Sequence, residues 1–432
     1  MEFSGDKMTK IIVRGPALSR SGYGEHTRFL LRSLREQEDK IDIYLTNTGW
    51  GQTGWIWEAD EEREWLDHLI GKTQNYVQNG GQFDVSAQVT IPNEWEKLAP
   101  INIGVTAGIE TTKVSPQWVE KSQIMDKIVT ISEHAKNVYE NTSYSARNVQ
   151  TGELVGEVKC TTPIEVVHYP IKDFEPADID IKLDYDFNFL TVAQLSVRKN
   201  IHSTIKWFVS EFKDEEVGLI AKLNIKCNSY RDQMETIKGL TDLLESQKDR
   251  KCKVYLLHGS MTDEEMTALY QHPKVKSYLT LAHGEGFGLP IFEAVYNELP
   301  VVAPDWSGHV DFLYAPVKDK KTGKEKMKPH FSRVNYTLQP IQKEARWDGV
   351  LEKDSMWCYA EKSSYKSRLQ EVYKDYPRFK NRAKKLNKWV RKNFTAEGQY
   401  EKFYKVFEEY VDTTKDEEID EMFQELFKEK NQ

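Results

Sequence analysis

The sequence predicts an α/β protein made of two doubly wound, Rossmann-like domains that face each other across a central cleft. Its 432 residues exceed one ordinary core and suit two domains of roughly 180 to 200 residues each. Short apolar strands alternate with amphipathic helical stretches twice over, on either side of a break at Pro170 to Asp186. Such alternation implies parallel sheets with helices on both faces. Hydrophobic residues make up 39% and aromatic residues 12% of the chain, enough to fill a core in each half.

In the first half, Lys10 to Val13 reads as a strand that runs into Arg14-Gly15-Pro16 and Ser19-Arg20-Ser21-Gly22-Tyr23-Gly24, followed by an amphipathic helix from Glu25 to Leu34. Strands follow at Ile41 to Leu45, Phe83 to Val89, Ile101 to Val105, Lys127 to Ile131 and Ile164 to Val167. The charge-rich stretch after Pro170 reads as an interdomain linker. The alternation then restarts with strands at Phe187 to Ala193, Glu216 to Leu223, Lys253 to Leu257, Val275 to Leu281 and Pro300 to Ala303. Helices fill the intervals, and Lys318 to Lys328 reads as a solvated hairpin tip turning at Thr322-Gly323. From Ser364 the chain reads as helices ending in an acidic, amphipathic tail. The expected division is 1–175, 176–385 and 386–432, the last part packing back on the first domain.

No apolar run approaches the ~20 residues that span a bilayer, and the first ten residues lack the apolar stretch of a signal peptide. The expectation is a cytoplasmic protein with no transmembrane segment, a reading that leaves room for peripheral membrane contact. Cys160, Cys227, Cys252 and Cys358 have neither disulfide-framework nor zinc spacing and are read as reduced thiols. A net charge of −8 argues against a protein that grips nucleic acid over a broad surface.

The segment with most chemistry is His283-Gly284-Glu285-Gly286-Phe287-Gly288-Leu289-Pro290-Ile291-Phe292-Glu293-Ala294, which follows a strand and opens a helix. Gly286 and Gly288 allow close backbone approach, Pro290 suits the first helical turn, and the free N–H groups there favour a phosphate. Glu285 precedes the helix and Glu293 lies about one turn into it, so two carboxylates are placed to hold different ends of one ligand.

Glu285 and Glu293 with seven residues between them, followed by Leu299 to Ala303 and Ser307-Gly308-His309-Val310-Asp311-Phe312, resemble the donor-site signature of family 4 glycosyltransferases with the GT-B fold. The resemblance covers most of residues 10 to 315, is strongest at 280 to 312 and returns weakly at Trp357 to Val372. It implies a retaining, metal-independent transfer from a nucleotide-diphosphate sugar to a glycan, lipid-linked or other hydroxyl acceptor, with no cofactor. It also implies that Glu285 approaches the transferred sugar, that Glu293 binds the nucleotide ribose, that the backbone of Gly286, Phe287, Gly288 and Leu289 binds phosphate and sugar oxygens, and that Ser307 lies nearby.

Upstream, Phe189 to Asn200 looks like the family's strand and loop that bring cations to the diphosphate, with Lys199 in the usual lysine position and Arg198 beside it. Ala193-Gln194 stands where the family often has Gly-Arg. Lys222 is a further candidate. On the acceptor side Ser21 to Glu25 resembles the family's glycine loop, giving Gly22 and Tyr23, and the stretch from Ile103 to Ser132 contributes Glu110 and Ser132. A catalytic histidine is not assignable, because Thr106-Ala107 and Ser86-Ala87 occupy the plausible places. Trp50 and Trp55, in a loop with three tryptophans, are acceptor-contact candidates. Asp178-Ile179-Asp180 falls in the linker and is read as chance acidic spacing. A phosphorylase or synthase of the same fold, an inactive glycan-binding protein and a DNA-modifying glucosyltransferase remain as rival readings.

Overall fold

The computed structural model describes residues 8–147, 150–319 and 321–411. The first half runs β1 (Thr9–Gly15), α1 (Gly22–Arg35), β2 (Ile41–Asn47), α2 (Glu61–Gln78), β3 (Val85–Val89), β4 (Ile101–Thr106), α3 (Pro116–Ser122), β5 (Lys127–Thr130), α4 (Glu133–Asn141), β6 (Ser143–Arg147), β7 (Leu154–Lys159) and β8 (Ile164–Val166). Six of these strands form one parallel sheet in the order β2-β1-β3-β4-β5-β8. Both of its faces are covered, which is why β3 is buried at every residue.

The second half runs β9 (Asn188–Gln194), α5 (Ile201–Glu211), β10 (Gly218–Asn224), α6 (Tyr230–Leu244), β11 (Lys253–Leu257), α7 (Asp263–Gln271), β12 (Val275–Leu279), α8 (Leu289–Tyr296), β13 (Val301–Pro304), α9 (Val310–Leu313), β14 (Tyr314–Lys318), β15 (Glu325–Pro329) and β16 (Ser332–Val334). Its parallel sheet has the order β11-β10-β9-β12-β13-β16. After it come β17 (Tyr336–Pro340), β18 (Met356–Ala360), α10 (Lys362–Lys374), α11 (Tyr376–Asn393) and α12 (Ala396–Glu408). The predicted class, two doubly wound α/β domains, is the observed one; the second sheet has six strands where the sequence indicates five, the extra one being the three-residue edge strand β16.

Local chemistry sets the helix ends. The Ser21 hydroxyl accepts from the Gly24 N–H at 3.0 Å and starts α1, while Thr262 and Glu265 form a reciprocal capping box on α7. The lysine-rich insert is the β14–β15 hairpin, with Gly323 in the left-handed region at φ 69°. Two antiparallel pairs, β6–β7 and β17–β18, had no counterpart in the sequence reading. Strand β7 is exposed along its whole length, so it has no buried face to leave an alternating pattern.

One apolar core is continuous across the two domains. Phe287 of the second domain meets Tyr169 of the connecting segment edge-on at 5.2 Å and packs on Phe292 and Phe312. Helix α11 lies on α8, where the Asn387 side chain donates to the Tyr296 carbonyl at 2.7 Å. Helix α12 lies on α1: Ser33 donates to the Tyr400 carbonyl at 2.7 Å, and Phe29 meets Phe403 edge-on at 4.9 Å. The acidic tail expected beyond it lies outside the described residues.

Candidate active site

In the second sheet β9 lies between β10 and β12, so the chain leaves β9 toward one side and β12 toward the other. That reversal opens a crevice beyond the carboxyl ends of the two strands. The loop after β9 carries Arg198 and Lys199, and the loop after β12 carries residues 283 to 288. Two bonds tie the loops together: the His283 N–H donates to the Arg198 carbonyl at 2.8 Å, and the Asn200 side chain donates to the Leu281 carbonyl at 3.2 Å. Asn200 sits at φ 50°, a left-handed position that asparagine tolerates better than most residues.

Glu285 is buried, and each of its carboxylate oxygens has a cation. The Lys199 ammonium stands 2.5 Å from Oε1 and the Arg198 guanidinium 2.9 Å from Oε2. Burial pushes the Glu285 carboxyl up, but Lys199 and Arg198 together outweigh it and hold the group down at about 2. Lys199 is pulled below the usual lysine range by burial, with the Arg198 charge adding to it and Glu285 opposing. Arg198 also donates to the Gly284 carbonyl at 2.8 Å and lies 3.4 Å from Glu110 of the first domain. The loops therefore carry a paired charge cluster that reaches across the cleft.

The main chain at Glu285 is fixed by the loop after β13. The Glu285 N–H donates to the Ser307 hydroxyl at 2.9 Å, and the Gly308 N–H donates to the Glu285 carbonyl at 2.9 Å. Ser307 takes φ 82°, and its hydroxyl lies 3.4 Å from Nδ1 of the buried His309, whose Nε2 lies 2.8 Å from the Pro304 carbonyl. The N–H groups of Gly286, Phe287 and Gly288 take no hydrogen-bond partner from the described residues. Gly288 is left-handed at φ 95° and Pro290 occupies the first turn of α8, so those N–H groups stand where the helix N-terminus favours negative charge. The Phe287 side chain points into the core.

Glu293, one turn into α8, is half-buried and accepts from the Tyr270 hydroxyl at 2.8 Å. Burial raises its carboxyl to about 7, against the Tyr270 hydrogen bond, with the Asp263 charge adding to the rise. Neither Tyr270 nor Lys172, which joins Glu25 at 2.6 Å beside Asp263, was flagged by the sequence. Both lie in segments whose local pattern is that of an ordinary helix or linker.

Across the cleft the backbones approach so closely that glycine is required. A Cβ on Gly286 would overlap the Ala107 carbonyl oxygen, and one on Gly284 the Glu110 carbonyl oxygen and the Trp306 ring. A hydrogen bond closes the same seam, from the Glu133 N–H to Asp311 at 2.8 Å, and the same carboxylate oxygen lies 2.9 Å from His168. Gly22 is different: a Cβ there would meet nothing within 4 Å. Tyr23 donates to or accepts from Thr106 at 2.8 Å, and its ring lies on Trp50 with centroids 4.2 Å apart. The tryptophan loop folds over the glycine loop through bonds from the Arg20 N–H to the Gly54 carbonyl and from the Ile56 N–H to the Leu18 carbonyl, leaving Trp57 80% exposed.

Some candidates stand apart from this cluster. Ser132 is fully buried and caps α4, accepting from the Ala135 N–H at 3.2 Å, so its hydroxyl is engaged in holding the helix. The Lys222 ammonium is taken by the Gly259 carbonyl. Gln194 donates to the Ile225 carbonyl at 3.0 Å, and Arg198 is the arginine that reaches Glu285. Asp178 and Asp180 lie exposed in the connecting segment, and among the described residues no three His, Cys, Asp or Glu side chains gather as metal ligands would.

No family model matches the chain, and no curated protein matches it by sequence. Solved structures do. The chain is similar to the sucrose-phosphate synthase of Thermosynechococcus elongatus, with a TM-score of 0.58 and 12% identity over 93% of this chain and 98% of that one. It is similar to Anabaena HepE in complex with UDP and glucose, with a TM-score of 0.56 and 11% identity over 93% of this chain and all (100%) of that one. The fold is GT-B. A third GT-B protein, trehalose-6-phosphate synthase of E. coli bound with UDP-2-fluoro glucose, matches with a TM-score of 0.54 and 10% identity over 92% of this chain and 98% of that one. At these identities the likeness establishes the architecture, and the chemistry rests on the cleft. No described helix is long and apolar enough to cross a membrane.

Proposed function

We propose that the chain is a retaining glycosyltransferase, resembling family 4, that moves a sugar from a nucleotide-diphosphate sugar to a hydroxyl of a glycan or lipid-linked acceptor without a metal ion. The observation that carries this reading is the juxtaposition of Arg198, Lys199 and the N–H groups of Gly286, Phe287 and Gly288, unpartnered among the described residues, at one strand-order reversal. Cations and helix N–H groups are what a departing diphosphate needs, because phosphate is a good leaving group once its charge is neutralised. Two structural neighbours are seen with UDP and with UDP-2-fluoro glucose, which favours uridine as the base.

In this reading the diphosphate draws Lys199 and Arg198 from Glu285, which frees that carboxylate to accept hydroxyls of the transferred sugar. Glu293 keeps one oxygen on Tyr270 and offers the other to the ribose. The C1–oxygen bond to the diphosphate breaks while the acceptor oxygen bonds to C1 on the same face, and the acceptor proton leaves with the diphosphate oxygen. The open space at Gly22 and the Tyr23–Trp50 ring pair suit a sugar acceptor.

The test is nucleoside diphosphate release from a panel of nucleotide sugars with glycan acceptors, on the native chain, Lys199→Ala and Glu285→Gln. Release that depends on both residues supports the reading, and the product's anomeric configuration decides retention. A chain that neither binds nor turns over any nucleotide sugar is not a transferase.

A further inference from the structure

A second groove, of about 640 Å³, lies outside the cleft along the edge strand β16, between that strand and helices α10 and α11. Strand β13 separates β16 from β12, whose following loop carries Glu285, so the groove is distinct from the donor crevice. Four arginines line it: Arg333, Arg368, Arg378 and Arg382. Three are matched by carboxylates, Arg333 with Asp305 at 3.3 Å, Arg368 with Glu371 at 2.6 Å, and Arg378 with Asp375 at 2.8 Å.

Arg382 is not. Through one nitrogen, Nη2, it donates to the carbonyls of Pro329 at 2.9 Å and Phe331 at 3.1 Å, and among the described residues it has no carboxylate partner. Burial pulls its guanidinium below the usual arginine range, with the charges of Arg378 and Arg333 adding to the shift and that of Glu371 opposing it. Beside it in the lining, Ser332 is 3% exposed and its hydroxyl has no hydrogen-bond partner among the described residues. A half-buried guanidinium without an ion-pair partner and an unsatisfied hydroxyl are costly unless something completes them.

We propose that this groove is a binding site for a phosphate monoester of a small polar molecule, such as a sugar phosphate, with Arg382 as its principal anchor. A guanidinium with free N–H groups is suited to bidentate phosphate recognition. The volume is that of a small-molecule site, far more than a bare phosphate fills. Half-buried Tyr336 offers a face to the body of the ligand, while the buried Phe379 ring lies 5.5 Å from the Arg382 guanidinium and supports it from the core side. The site is independent of the transferase reading.

The test is calorimetric titration of the full chain with glucose 6-phosphate, inorganic phosphate and glucose, at constant ionic strength and with saturating UDP to block the cleft. Saturable binding of the sugar phosphate, at least several-fold tighter than inorganic phosphate, with none of glucose, is expected. Arg382→Gln is expected to weaken it roughly tenfold or more, the loss of one charge-assisted bond. Arg378→Gln, on an exposed residue whose loss the fold tolerates, is expected to weaken it several-fold, with UDP affinity unchanged in both variants. Absence of saturable binding, binding of native strength in Arg382→Gln, elimination by UDP, or inorganic phosphate binding as tightly as the monoester would each overturn the assignment.

Discussion

The Lys199 ammonium and the Glu285 carboxylate stand 2.5 Å apart although 86 residues separate them in the chain. Each ends up there because β9 and β12 are neighbours in the sheet, which lets loops from distant strands meet. Glu285 is buried and Lys199 and Arg198 are half-buried, so the site carries two cations against one carboxylate before Glu110 is counted. An anion entering the crevice therefore meets cations already held in place.

Glu285→Gln removes the carboxylate that Lys199 and Arg198 share while leaving both cations in position. Nucleoside diphosphate affinity is expected to hold or rise, since the cations lose their internal competitor. Turnover is expected to fall about 100-fold or more, the scale of removing a group that acts on the transition state. Initial rates beside calorimetric binding check this, and a variant that keeps native turnover rules Glu285 out of catalysis.

Glu293 is held near 7, so its ionisation falls inside the working range. Its folded form is protonated below about 7, and a neutral carboxyl accepts ribose hydroxyls more weakly than a carboxylate. Affinity for a nucleotide sugar, whose diphosphate does not titrate here, is expected to rise as pH increases from 6 to 8. The dependence is expected to vanish in Glu293→Gln. A flat profile in the native chain would remove Glu293 from the ligand.

Gly286→Ala and Gly22→Ala should behave differently. At Gly286 the added methyl meets the backbone oxygen of Ala107, which yields only if the domains part, so a loss of about 1–3 kcal/mol and a lower Tm are expected. At Gly22 the methyl meets nothing, and alanine in a helix is better than glycine by up to about 1 kcal/mol. Its Tm is expected to hold or rise while turnover falls, because the space serves the ligands. Calorimetric melting with activity assays separates the two.

His26 is wholly buried among Phe29, Tyr169 and Phe403, with neither ring nitrogen partnered among the described residues, and burial lowers it to about 3. Its folded value lies below its unfolded one near 6.5, so the unfolded chain binds the extra proton first. Stability from this group is complete above 6.5 and is lost as pH falls toward 3, at about 1.4 kcal/mol per pH unit. His26→Phe is expected to flatten the denaturation midpoint between pH 6 and 4; an unchanged slope would assign the loss to other groups.

Trp50→Ala takes away the ring that covers Tyr23. If the pair forms the acceptor platform, the acceptor KM rises roughly tenfold, the scale of one lost stacking contact, while donor affinity stays. A rise confined to the donor KM would place the tryptophan loop elsewhere.

Much of the site was readable from the sequence because its parts are local. The strand, glycine loop and helix around 275 to 296 carry their own turn chemistry, and the spacing of Glu285 and Glu293 follows from where α8 begins. Lys199 was visible as the cation after a strand. Tyr270 and Lys172 were not, since nothing in a helix end or a charged linker announces a partner in another element. Ser132 was read as a cleft residue, and its hydroxyl is a helix cap, a role that Ser before Glu133 fills through bonds three residues long.

By itself the sequence determined the two alternations of strand and helix, the loops that need glycine and the residue types at the strand ends, because periodicity and turn preference act within a few residues. Tertiary structure alone decided that Glu285 is shared by two cations, that Glu293 is held near 7, that Gly284 and Gly286 meet the opposite domain, and that Arg382 bonds to backbone carbonyls with no carboxylate partner among the described residues. Those outcomes depend on desolvation and on which charges sheet order and domain packing bring within a few ångströms, quantities that no local window of sequence contains.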